Sequence, residues 1–173
     1  MNHAGLRIIG ITGRANAGKN ETARLLGATH TIEFAEPLYR MISVLTDTPA
    51  WKLKDRAFKE QIIPWLGKSP RQLLQTLGTD WGRDLICPDL WIKVAKMKAQ
   101  AIVAETMYSS RPTIIAFTDL RFDNEAEMIV NELGGVIWET IRPGATTCVG
   151  HVSEAGISRR LSRECYNERY RGG

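Results

Sequence analysis

Short, almost continuous apolar runs recur along the chain at wide intervals. The clearest are LRIIGIT at 6–12, TIIAFTD at 113–119 and VIWETI at 136–141, with a shorter β-prone run, HTIEFA, at 30–35. Runs of this length and composition are typical of strands that helices cover on both faces. We therefore predict that these four segments are strands of one buried sheet.

Helical periodicity fills the intervals between these runs. Ser69 followed by Pro70 is a helix start signal, and Leu73, Leu74 and Leu77 follow at helical spacing. The predicted helices are 21–27, 36–45 (with Pro37 in its first turn), 70–84, 88–105 and a segment from 124 that ends at Gly134 and Gly135. Strands that alternate with helices predict an α/β fold of three layers around a mostly parallel sheet. Residues 46–68 are harder to interpret, because Pro49 and Pro64 interrupt a mixture of tryptophans and lysines.

Length and composition indicate one globular domain. The chain has 173 residues and a mass of 19.4 kDa, with 43% hydrophobic and 24% charged residues, which argues against disorder. It contains no apolar run of about eighteen residues, the length that a membrane-spanning helix needs. The N-terminal MNHAGLRIIGIT lacks the features of a secretory signal. We therefore expect one cytoplasmic domain, residues 1–173, with no membrane partner.

Cysteine usage and charge narrow the classes of function. The three cysteines are far apart and form no CxxC pair, so neither a zinc site nor a disulfide framework is indicated. The net charge of +4 suits an anionic partner without identifying it. Arginines cluster in the tail, which is either a solvated end or a nucleic-acid contact. No aromatic residues alternate with basic ones, and this argues against nucleic acid as the partner.

A glycine-lysine turn follows the first predicted strand. Residues 13–20 read GRANAGKN, which matches the GxxxxGK pattern of a phosphate-binding loop between a strand and a helix. Backbone N–H groups of such a loop surround phosphate oxygens, and Lys19 can reach the terminal phosphates. The predicted ATP-binding residues are Gly13, Arg14, Ala15, Asn16, Ala17, Gly18, Lys19, Asn20 and Glu21. The alternative is a glycine-rich turn with a solvated lysine.

The two residues that follow the loop lysine, Asn20 and Glu21, bear on how magnesium and ATP bind. Asn20 stands where a Ser or Thr hydroxyl normally binds magnesium. Its amide oxygen can bind the ion, or carboxylates such as Asp119 can hold it through water. The charge of Glu21 would repel a triphosphate unless the side chain points away or meets a cation.

A second polar cluster follows the strand at 113–119. FTDLRFDNEAE places Asp119 and Arg121 just past the strand end, where open α/β sheets bind ligands. Asp119 there can hold a metal's water shell or orient the attacking oxygen, and Arg121 can bind phosphate with two hydrogen bonds. The alternatives are a helix cap for Asp119 and a surface ion pair with Asp123 or Glu125 for Arg121.

With these motifs, the chain resembles the deoxynucleoside monophosphate kinases of tailed phages. Four blocks carry the resemblance, which covers most of the chain from residue 8 to about 156. They are GITGRANAGKNETA with FAEPLY, SPRQLLQTLGTDWGRDLICPDLWI, TDLRFDNEAEMIVNELGGVIWETIRP and HVSE. The resemblance implies a P-loop kinase fold, and an enzyme that moves the γ-phosphate of ATP to a deoxynucleoside monophosphate with Mg²⁺. It also implies a helical acceptor-binding region at about 36–105, a mobile lid at about 142–156 and a possible homodimer.

The resemblance also assigns roles to single residues. The implied catalytic residues are Lys19, Arg83, Asp119 and Arg121. Acceptor binding falls to Phe34, Arg71, Arg83, Arg121, Arg142 and His151, and metal binding to Asn20 and Asp119. His151 can instead be a capping or solvated histidine. Among the tryptophans, Trp81 and Trp91 fit core positions, and Trp51 fits a base-stacking one.

This chain departs from the family at two places, and other functions stay open. Asn20 and Glu21 replace the acidic residue and threonine that often follow the loop lysine, and ISRRLSRECYNERYRGG does not resemble the family's final strand and helix. The alternatives are another small-molecule P-loop kinase, acting on a nucleoside or a coenzyme precursor, a nucleic-acid-binding ATPase, or a nucleotide-sensing module without turnover.

Overall fold

A computed structural model of the chain describes residues 5–141 and the backbone of a strand at 163–166. The chain divides into two compact units. The sheet unit comprises Met1–Glu33 and Ala95–Gly173, and the helical unit comprises Phe34–Val94. The helical unit overlaps the predicted acceptor-binding region but ends earlier, because the boundary falls within a long helix. The predicted lid, with Arg142 and His151, lies outside the described residues.

Five strands of the described residues form one sheet, in which every pairing is parallel and the order is β2-β3-β1-β4-β5. Their bounds are Leu6–Thr12 for β1, His30–Ile32 for β2, Thr113–Phe117 for β3, Val136–Ile141 for β4 and Arg163–Tyr166 for β5. The four predicted strands are confirmed. The prediction for the C-terminus is wrong in one respect, because the tail contributes β5 beside β4.

The sheet unit has three layers. Its described helices are α1 (Lys19–Leu25), the part of α6 (Leu90–Thr106) that starts at Ala95, and α7 (Asp123–Glu127), which continues into a π-helical turn, π2 (Met128–Glu132). On one face of β1, Ile9 and Ile11 pack with Ala23 of α1. On the other face, a Cβ on Gly10 would lie 3.0 Å from Ile129 of π2. Because successive residues of a strand face opposite sides, α1 and π2 cover opposite faces of the sheet, as predicted.

The helical unit packs around its own small core. Its elements are α2 (Glu36–Thr46), α3 (Ala50–Lys54), α4 (Arg56–Glu60), α5 (Pro70–Gln75), π1 (Thr76–Ile86) and the start of α6 (Leu90–Thr106). Tyr39, Ile42 and Leu53 are buried, and the predicted helix face of Leu73, Leu74 and Leu77 packs against them. The helices α3 and α4 fall within residues 46–68, to which the sequence analysis assigned no single element.

The segment after α5 winds as a π-helix, and two of its glycines pack against a tryptophan. The indole N–H of Trp91 donates to the carbonyl of Gly78 at 2.8 Å. A Cβ on Gly82 would lie 2.5 Å from the Trp91 ring, so no larger residue fits there. Trp91 is buried, which confirms its predicted place in the core, whereas Trp81 keeps 37% of its surface exposed.

None of the described helices combines the length and the apolar character that crossing a membrane requires.

Candidate active site

The loop between β1 and α1 has the backbone shape of a phosphate-binding turn. Gly13 and Gly18 have φ angles of 137° and 93°, and Asn16 has 62°, so three loop residues take left-handed conformations. The N–H of Ala17 donates to the carbonyl of Arg14 at 3.1 Å and closes the turn. Alternating right- and left-handed residues gather successive N–H groups into a concavity that suits an anion.

The loop is packed tightly against the end of β4. A Cβ on Gly13 would lie 2.5 Å from the carbonyl oxygen of Thr140, so residue 13 must be glycine while this strand keeps its place. The hydroxyl of Thr140 also donates to the hydroxyl of Thr22 on α1, at 3.1 Å in a buried position. The sheet therefore holds both ends of the loop.

Lys19 folds back across the loop. Its ammonium group donates to the carbonyl oxygens of Gly13 at 2.9 Å and Arg14 at 3.0 Å. Burial lowers the pKa of Lys19, the positive charge of Arg121 lowers it further, and the negative charge of Asp119 acts in the opposite direction. The structure therefore brings together three of the predicted catalytic residues, Lys19, Asp119 and Arg121, within electrostatic reach.

The backbone that carries Asp119 and Arg121 is held by residues that the sequence analysis did not assign to the site. Thr12 donates its hydroxyl proton to the carbonyl of Leu120 at 3.2 Å. One carboxylate oxygen of Glu125 accepts the N–H groups of Arg121 at 2.9 Å and Phe122 at 3.1 Å. Glu125 stands at the third position of α7, and a glutamate at that position is a known helix-start signal.

The charge of Glu21 is met by a cation. Both carboxylate oxygens of Glu21 accept hydrogen bonds from Arg24, at 2.6 Å and 2.8 Å, which is one of the two arrangements that the sequence analysis allowed. Arg14, Ala15 and Asn20 are exposed, whereas Ala17 is buried. The predicted ATP-binding residues thus differ in the groups that they present to a nucleotide. Ala17 can contribute only its backbone, because its side chain is buried.

The side-chain oxygen atoms near the loop that could bind a metal suit a magnesium ion that keeps much of its water. Among the described residues, no three His, Cys, Asp or Glu side chains come together as a metal site. Asn20 is exposed beside Lys19, and Asp119 is half-buried and close enough to affect the pKa of Lys19. Magnesium usually binds through one or two protein oxygens together with substrate phosphates and water, which matches this sparse set.

Three of the predicted acceptor-binding residues, Phe34, Arg71 and Arg83, lie in the helical unit. Phe34 retains only 5% exposure, so its ring is not presented to solvent. The Nε of Arg71 donates to Glu60 at 2.6 Å in an exposed ion pair. Arg83 is half-buried in π1. Trp51 is 74% exposed beside an open depression that Lys52 and Phe58 also line.

The parallel sheet, its strand order and the glycine-lysine loop after β1 define a P-loop kinase. The "Putative deoxynucleotide monophosphate kinase" of Acanthamoeba polyphaga mimivirus is 30% identical over 159 residues, which cover 87% of this chain and 81% of that protein. The "Deoxynucleoside-5'-monophosphate kinase" of Escherichia phage T5 is 33% identical over 71 residues, 41% of this chain and 25% of that protein. No family model matches the chain. The chain belongs to the deoxynucleoside monophosphate kinase family, a family of nucleotide-phosphorylating enzymes.

The lowered pKa of Lys19 predicts where the pH profile of kcat/KM for ATP declines on its alkaline side. We call this decline the alkaline limb, and it should lie at a lower pH than an ordinary lysine would give. The free enzyme should lose the Lys19 proton below the ordinary value of 10.5, so kcat/KM for ATP should fall below that pH. Bound phosphates stabilise the charged form, so the limb of kcat should lie at higher pH than that of kcat/KM. The measurement is the pH dependence of both parameters. Lys96→Ala is the control, since the Lys96 ammonium pairs with Glu132 instead. A kcat/KM limb at or above pH 10.5 would contradict the prediction.

The lowered pKa of Lys19 also makes the free energy of unfolding depend on pH. Between the folded pKa of Lys19 and 10.5, the unfolded chain binds more protons at this lysine than the folded chain does. The contribution of Lys19 to the free energy of unfolding therefore rises with pH across that window.

Proposed function

We propose that the chain transfers the γ-phosphate of ATP to a deoxynucleoside monophosphate and yields ADP and the deoxynucleoside diphosphate. The observation that carries this proposal is the meeting of Lys19, Asp119 and Arg121 at a phosphate-binding loop. Membership of the deoxynucleoside monophosphate kinase family supports the acceptor. Phosphoryl transfer needs alignment and neutralisation of charge more than covalent chemistry, and this site has cations placed for that.

On the donor side, the loop's N–H groups bind the phosphates and Lys19 supplies charge. Its ammonium exchanges the carbonyls of Gly13 and Arg14 for phosphate oxygens, which offer full negative charge. Arg121 neutralises charge that spreads over the transferring group, and its planar fork suits phosphate oxygens. Asn20 and Asp119 would hold a magnesium ion together with water, and the bound ion would supply further neutralisation of the phosphate charge.

On the acceptor side, Arg71, Arg83, Arg121 and Arg142 bind the monophosphate, and His151 completes the acceptor set. Arg71 must exchange its exposed pair with Glu60 for the phosphate of the acceptor. Such a pair is weak in water, so the exchange is easy. The proposed lid at about 142–156 closes over both substrates and excludes the water that would otherwise hydrolyse ATP.

The test is an acceptor screen. The purified chain is incubated with ATP, Mg²⁺ and one candidate at a time, and ADP and the new phosphorylated product are both measured. The candidates are the common deoxynucleoside and ribonucleoside monophosphates, nucleosides and single-stranded DNA. We expect a stoichiometric diphosphate product with at least one deoxynucleoside monophosphate. ADP release that only DNA stimulates, or phosphorylation of nucleosides alone, would contradict the proposal.

A further inference from the structure

The segment from Thr118 to Phe122, which we call the strand-end loop, has its backbone fixed at four points. The N–H of Thr118 donates to the carbonyl of Ile32 at 3.1 Å. The carbonyl of Leu120 accepts the Thr12 hydroxyl at 3.2 Å, and Glu125 accepts the next two N–H groups. The bond from Phe122 to Glu125 also caps the start of α7, whereas the bonds at Leu120 and Arg121 act on the backbone of the loop itself.

The groups that make these bonds are buried. Glu125 is 2% exposed, and Thr12 is 4% exposed. Burying a carboxylate is unfavourable unless hydrogen bonds compensate, and here two N–H groups of adjacent residues share one carboxylate oxygen. An apolar side chain would fill the same space without that cost. The carboxylate therefore specifies the direction of the backbone at Arg121 and Phe122.

Thr12 connects this loop to the phosphate-binding loop. It is the last residue of β1 and directly precedes Gly13. Its hydroxyl bond to Leu120 therefore joins the backbone that begins the phosphate-binding loop to the backbone that carries Asp119 and Arg121. The two residues are 108 positions apart from each other in the chain, so nothing local fixes that distance.

We propose that Glu125 and Thr12 are positioning residues for phosphoryl transfer, which together set the place of Arg121 relative to the phosphate-binding loop and Lys19. The inference rests on the proposed function. Reacting groups that are misplaced by about an ångström lose roughly a hundredfold in rate, so a backbone fixed at several points is a means of catalysis. Neither residue needs to touch a substrate to act in this way.

The variants remove the hydrogen bonds while they keep the volume. Glu125→Met removes the acceptor, whereas Glu125→Gln keeps one amide oxygen that can accept both N–H groups. Thr12→Val removes the hydroxyl, whereas Thr12→Ser keeps it. We expect kcat to fall at least about tenfold in the Met and Val variants, with little change in KM for ATP, and to recover largely in the Gln and Ser variants.

A second readout is hydrogen exchange at the backbone N–H groups of Arg121 and Phe122, which Glu125→Met leaves without their acceptor. We expect these two N–H groups to exchange faster in the Met variant than in the Gln variant. Hydrogen exchange needs no acceptor substrate, so a wrong acceptor in the proposed function would leave this result intact.

Thr46→Val is the matched control. Thr46 is also a buried threonine whose hydroxyl donates to a backbone carbonyl, that of Ile42 at 2.7 Å, but it lies in the helical unit. The Thr46→Val substitution should lower the melting temperature without the change in kcat or in hydrogen exchange at residues 121 and 122. The proposal is overturned if the Met and Val variants, measured where they are fully folded, keep kcat within about twofold, or if Glu125→Met leaves exchange at these two N–H groups unchanged.

Discussion

Lys19→Ala is expected to lose at least ~3 kcal/mol of transition-state stabilisation, a fall in kcat of about a hundredfold or more. The reason is that Lys19 is the cation held directly on the loop, with its ammonium on the carbonyls of Gly13 and Arg14. The methyl group of alanine cannot neutralise the negative charge of the transferring phosphoryl group. The measurement is kcat for the acceptor that the screen identifies, with product quantified directly.

Lys96→Ala serves as the control for that loss, because it removes a lysine of the sheet unit whose ammonium pairs with Glu132. It should keep kcat within about twofold, as expected for an exposed pair. A thermal melt of both variants separates loss of chemistry from loss of fold. Near-normal phosphoryl transfer by a folded Lys19→Ala variant would rule out the assignment of this loop.

Arg121→Ala is expected to have an effect of similar or larger size. By analogy with an arginine that stabilises a transferring phosphoryl group, kcat should fall by about a thousandfold. Arg121→Lys should recover only part of it, because an ammonium carries the charge without the planar fork. Removing the positive charge should also raise the pKa of Lys19, so the alkaline limb of kcat/KM should move to higher pH in the alanine variant.

Arg111→Ala is the matched control for Arg121. Arg111 is exposed and lies before β3, at the opposite end of that strand from Arg121. It should leave both kcat and the limb unchanged. If Arg121→Ala lowers kcat but leaves the alkaline limb of Lys19 in place, the two cations are not neighbours in the working enzyme, and the charge coupling described above is wrong.

The sheet was predictable from sequence because its strands are buried on both faces. Apolar runs such as 6–12 and 136–141 carry that signal locally, and the structure places β1 and β4 at the same bounds. The strand β5 was missed because its four residues, RECY, contain too few apolar positions to show a pattern. Its place in the sheet depends on pairing with β4.

The helical unit was harder to predict because tertiary contacts decide its shape. The sequence LGTDWGRD continues a helical pattern, and nothing local indicates a π-helix. Its winding accompanies the packing of Trp91 onto Gly78 and Gly82, which brings residues of a later helix against it. Local propensity gives way to such contacts when a large ring has to be accommodated.

The candidate site divides in the same way. The GxxxxGK pattern and the position of Asp119 and Arg121 after a strand were visible in the sequence, because each is a local signal. The bond from Thr12 to Leu120 joins residues too distant in the chain for any pattern to show. Phe34 was predicted as an acceptor contact from the family resemblance and from its position beside the acceptor region, and the sequence did not indicate that its ring is buried.

The fit of the phosphate-binding loop against β4 makes its positions unequal in evolution. A motif written GxxxxGK suggests four interchangeable sites, but Ala17 has no room for growth and Asn16 has a left-handed φ that few residues adopt readily. Drift among descendants of this chain should therefore concentrate at Arg14 and Ala15, which are exposed and do not have the left-handed φ of Asn16. A change at either gives a lineage room to adjust nucleotide affinity without rebuilding the sheet.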